Sequence, residues 1–116
     1  MSASDAHVLS AVAFQLAAAV GAYDEDVTEL VQSGFDPELY RRVSRQMDQM
    51  RMYAAALPPV SVSWAEVMIR HFELTHCVWR VQKDGTGLSE LRAVHQQLQQ
   101  ALQRLSRLCA QLMPTA

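Results

Sequence analysis

Between Val8 and Tyr23 the chain carries no formally charged side chain, yet its apolar residues are not scattered. Val8, Val12, Leu16, Ala19, Val20, Tyr23, Val27, Leu30 and Val31 fall on one arc when each residue is turned by about 100°, as in a helix with one buried stripe. The pattern predicts a first helix from about Ser4 to Gln32. Ser4 would be its N-cap, Asp5 would lie in its first turn, and Ser33-Gly34 would stop it. Phe14 falls on the opposite side, among the small residues Ser10, Ala11, Ala17, Ala18 and Gly21. It either tucks under a loop of its own chain or marks a second contact face.

Three more helices follow from the same periodicity. In "GFDPEL", Asp36 reads as an N-cap and Pro37 as the first helical residue, with Glu38 in the first turn. Leu39, Val43, Met47, Met50, Ala54 and Leu57 form its core stripe, and Pro58-Pro59 end it. In "VSWAEV", Ser63 and Glu66 have the spacing of a capping box, with Val62 and Val67 placed as a hydrophobic staple, so a third helix is predicted from Trp64 to about Lys83. Its charged residues Glu66, Arg70, Glu73 and Arg80 share a narrow strip. Trp64, Val67, Met68, Ile69, Phe72, Leu74, Val78, Trp79 and Val81 cover most of the rest, which places this helix at the centre, surrounded by the others. After the "KDGTG" turn a fourth helix begins between Thr86 and Ser89 and runs to Pro114. Leu91, Leu98, Leu105 and Leu112 repeat every seven residues, with Val94, Ala101 and Leu108 three after the first three of them. His95, Leu102 and Cys109 widen that face, and the outside is rich in glutamine.

No segment alternates as a strand does. The expected fold is therefore all-α: one domain over residues 1–116, a small four-helix, mostly antiparallel bundle with a central third helix. At 116 residues, half of them hydrophobic, the chain is long enough for a core without staples. Its two cysteines, Cys77 and Cys109, read as small apolar residues of a reducing cytoplasm.

Charge adds one feature. Residues 1–39 hold seven carboxylates and no Lys or Arg, whereas residues 40–116 carry a net +5, so the total of −2 hides an uneven chain. Either the first helix lies against the rest of its own chain, or the two parts face different partners. Arg41, Arg42 and Arg45 form a solvated face or a patch for an acidic stretch, with "DEDVTE" of the first helix as one candidate. A net-acidic chain is a poor nucleic-acid binder. The uncharged run lacks a basic flank for a signal peptide and is shorter than the ~20 residues a bilayer needs. It is therefore expected in a soluble helix.

Chemistry is sparse. "RHFELTHC" gathers His71, Glu73, His76 and Cys77, but His71 and His76 are five residues apart and diverge by about 140° on a helix. Glu73 and His76 read as a surface pair, and His76 and Cys77 point too far apart for a nucleophile and its base. No phosphate loop can be built from Gly21, Gly34, Gly85 and Gly87. No catalytic residue, metal ligand or cofactor is expected, and no contact with DNA or a membrane.

What remains is apolar surface in excess of one bundle's needs, which points to protein–protein contact. The candidate interface residues are Phe14, Ala17, Ala18 and Gly21 on the first helix and Leu91, Leu98, Leu102, Leu105 and Leu112 on the fourth. With "HVLSAVAFQLAAAVGAY" and "LRAVHQQLQQALQRLSRLCAQL" as its interface helices, the chain resembles the small bacterial quorum-sensing antiactivators that bind a LasR-type transcription regulator. The resemblance lies in the whole-chain pattern and assigns a role to no single residue. It implies a cytoplasmic homodimer, not an enzyme, that blocks the regulator's own dimerisation and so its DNA binding. A secretion chaperone or a small structural subunit of a larger complex shares the same features.

Overall fold

The computed structural model describes residues 3–113. Four α-helices follow one another: α1 (Ala3–Ser33), α2 (Pro37–Ala55), α3 (Ser61–Asp84) and α4 (Leu88–Gln111), with a single 3₁₀ turn (Pro58–Val60) between α2 and α3. Each neighbour runs against the last, giving an up-down-up-down bundle of 54 × 24 × 22 Å. α1 packs on α2 and α4, and α4 packs on α3; α2 and α3 touch much less. The core joins Leu16, Tyr23, Val27 and Leu30 of α1 with Val43 and Met50 of α2, Val67 and Leu74 of α3, and Leu98 and Leu105 of α4.

The helix ends show which local signals act. Gly34 has φ +83°, a backbone state that a side chain disfavours, and it follows the last residue of α1. Asp36 has an extended backbone, and its carboxylate accepts from Glu38 N at 2.9 Å and Leu39 N at 3.4 Å, so α2 starts where expected. Gly85 (φ +69°) closes α3, its N–H bonding to the Val81 carbonyl at 2.8 Å.

Two starts differ from the sequence reading. α1 is already helical at Ala3, so Ser4 lies inside it rather than capping it. The capping box at Ser63 does not form: α3 begins at Ser61, Ser63 Oγ is buried without a partner, and Glu66 reaches across to Arg104. The two prolines explain this. Their ring-fixed φ values start a helical turn before Ser63, and they bring no N–H that needs a cap. At the other end α4 stops at Gln111, and Pro114 lies outside the described residues.

The third helix is not surrounded. Its inner side is buried through Trp64, Val67, His71, Leu74, Cys77 and Val78, but Ile69, Phe72 and Trp79 are exposed on the outside. With few contacts to α2, α3 sits at a corner of the bundle. The stripe of α1 also shifts at its start: the first buried residue is Ala13, and Val8 is 61% exposed. The apolar window of α1 is long enough to cross a membrane by length and composition, but its inner stripe packs on its own chain and Asp26 is bound to Arg42 of α2.

Candidate interaction surfaces

The fourth-helix candidates belong to the core. Leu91, Leu98, Leu102 and Leu105 are buried, and Leu112 is half-buried against them. Their heptad seam is filled by α1 and α3 of the same chain, so it offers nothing to a second one. This corrects their reading as interface residues.

On α1 the candidates divide. Ala17 is half-buried and packs against the core, whereas Phe14, Ala18 and Gly21 face outward. Phe14 is 65% exposed and borders a shallow depression with His7, Ala11, Gln15 and Met113. No loop covers it. The outward face of α1 therefore runs from Ala11 through Phe14 and Ala18 to Gly21 without a charge.

A second outward face lies on α3. Val62, Ala65, Ile69, Phe72, His76 and Trp79 are all exposed and succeed one another at steps of three and four, so they share one side of the helix. The charges beside this stripe are already paired: Glu73 with Arg70 at 2.8 Å, Glu66 with Arg104, and Arg80 with Glu90. Phe35 contacts Trp79 edge-on, with ring centroids 6.0 Å apart, and steadies one end of the stripe. The 3-4 spacing of this set is legible in the sequence. It was hidden because the inner side of the same helix is equally apolar.

The "RHFELTHC" cluster comes apart. His71 points inward and His76 outward, and Glu73 is taken by Arg70 rather than by His76. His71 Nδ1 lies 2.7 Å from the Tyr23 hydroxyl. Burial lowers the imidazole pKa to about 4 and raises that of Tyr23, so at neutral pH the ring is uncharged and shares one hydrogen bond with the neutral phenol through Nδ1. Cys77 and Cys109 are buried free thiols, and burial pushes both pKa values up, which disfavours the nucleophilic thiolate. Among the described residues no group of three His, Cys, Asp or Glu side chains is placed to hold a metal ion.

The arginines of α2 also divide. Arg42 forms a two-pronged pair with Asp26 at 2.9 and 3.0 Å, and Gln46 donates to the same carboxylate at 2.7 Å. The Arg42 guanidinium holds the Asp26 pKa below its usual value. "DEDVTE" is thus met within the chain by one arginine, while Arg41 and Arg45 remain exposed around a polar hollow with Glu38.

No known family, curated protein or solved structure matches the chain. The structure leaves two uncharged outward faces, one on α1 and one on α3.

Proposed function

We propose that this protein is a non-enzymatic, protein-binding regulator that works as a cytoplasmic homodimer and occupies a surface of its partner. The partner that fits its resemblance is a transcription regulator, held at the surface through which that regulator dimerises. The observation that carries this reading is the exposure of apolar side chains on two helices, with Phe14 on α1 and Ile69, Phe72 and Trp79 on α3. A soluble chain gains nothing from leaving several large apolar groups in water along two continuous faces, and such patches mark contact sites. DNA is a poor partner for this surface. The net charge is −2, and five of the ten Lys and Arg residues, Arg42, Arg51, Arg70, Arg80 and Arg104, are committed to ion pairs within the chain.

The test is capture of partners from the native cell by the wild-type chain and by Phe14→Glu. Phe14 stands in water, so the variant should remain helical, with stability changed by no more than about 0.5 kcal/mol. The wild type should retain a DNA-binding regulator that the variant loses, and the captured regulator should fail to shift its operator DNA. Retention of the same regulator by Phe14→Glu removes α1 from the interface. Capture of a secreted protein instead moves the chain to the chaperone class.

A further inference from the structure

We propose that the outward stripe of α3 is the docking site for a second copy of this chain, the two α3 helices lying antiparallel across a two-fold axis. This builds on the homodimer in the functional reading and names the face that closes it.

The stripe is complementary to itself in one register. Val62, Ala65, Ile69, Phe72, His76 and Trp79 alternate by three and four residues, as the seam of a coiled coil does. Lay a second α3 against it, reversed, with Ile69 facing Phe72 of the other copy. Val62 then faces Trp79 and Ala65 faces His76, and symmetry repeats each layer. Every layer pairs a smaller side chain with a larger one, and all six positions are used. A slip of one heptad in one direction stacks Ile69 on Trp79 and Phe72 on His76 and leaves Val62 and Ala65 in water. A slip in the other leaves His76 and Trp79 uncovered.

The area fits a reversible dimer. Val62 is 84% exposed, Ile69 58%, Phe72 64% and Trp79 54%. These four side chains present on the order of 500 Å², and pairing two such stripes with their rims buries about 1,000 Å², the lower end of the range for biological interfaces. The flanking Glu66, Glu73 and Arg80 keep their partners Arg104, Arg70 and Glu90 within the chain, and the exposed Lys83, one step beyond Trp79, lies past the last layer of this register. The outward face of α1 has only Phe14 among small residues, and is left open for the other partner.

Sedimentation equilibrium at tens of micromolar should give the wild-type chain twice its mass of 13.0 kDa. Ile69→Lys and Phe72→Glu, each alone, should weaken the dimer on the order of 100-fold, because each puts a charge opposite an apolar side chain. Mixing the two variants should restore it. In the mixed pair the introduced lysine faces the introduced glutamate, and the second central layer is wild type. Ala65→Arg, at an exposed small position facing His76, should separate the copies as well, and circular dichroism checks that every variant stays helical. A monomeric wild type overturns the proposal, as does a dimer indifferent to these substitutions or a mixture that stays monomeric. Partner capture is read separately through Phe14, so failure of the dimer leaves the binding reading standing or falling on its own result.

Discussion

Tyr23 and His71 meet inside the bundle although 48 positions separate them in the chain. Burial of the His71 imidazole makes folding sensitive to acid. In the unfolded chain the imidazole takes up a proton near pH 6.5; in the folded one it resists until about pH 4. Between these values the unfolded state binds more protons. Stability is therefore full above about pH 6.5 and falls as the pH drops, by about 3 kcal/mol once it reaches 4. His95, which lies 3.2 Å from the Thr28 hydroxyl and whose pKa is also lowered by burial, acts in the same direction. Urea unfolding between pH 7 and 4 should trace this loss. The double variant Tyr23→Phe/His71→Leu removes both polar partners together, and its acid limb should be shallower. An unchanged limb would assign the effect to carboxylates instead.

Helix ends and helix faces differ in how much of them the sequence discloses. Gly34, Asp36 and Gly85 act through a few adjacent atoms, and these boundaries were legible. Asp36→Ala should cost about 1 kcal/mol in chemical denaturation. Ser63 has the same local appearance, but Pro58 and Pro59 begin the helical path before it. Ser63→Ala should therefore change stability by less than about 0.5 kcal/mol, whereas a working cap would lose about 1. Faces are harder to read, because an apolar arc looks the same whether its own chain or another one covers it. The leucine heptads of α4 suggested an outer seam, yet Leu98 and Leu105 are wholly buried. On α3 two apolar arcs back to back suggested a surrounded helix, yet one of them meets water. On α1 the placing of Phe14 opposite the core stripe was legible, but whether its own chain covers it was not, because a loop's path leaves no mark on the helix's periodicity.

For the whole molecule, the division between core and surface separates two kinds of substitution. Leu98→Ala removes side chain from the middle of the bundle and should cost about 2–5 kcal/mol of folding stability, measured by thermal or urea unfolding, leaving a cavity that its neighbours cannot fill. Phe14→Glu should leave that midpoint nearly unchanged, and Ile69→Lys should lower it only by the part that dimerisation adds, a difference that vanishes on dilution. The up-down-up-down arrangement also has a consequence in time. α1 and α2 are joined through residues 34–36, and α3 and α4 through residues 85–87, so each hairpin can close over a short stretch of chain. The docking of the two hairpins, through α1 on α4 and through Tyr23 on His71, is what needs distant segments. Helical proteins with mostly local contacts fold in milliseconds or less, and stopped-flow refolding should show this chain doing so in a single phase without any partner present. Its outward faces would then exist before an encounter, and the rate of capture would be set by diffusion and orientation of two finished surfaces.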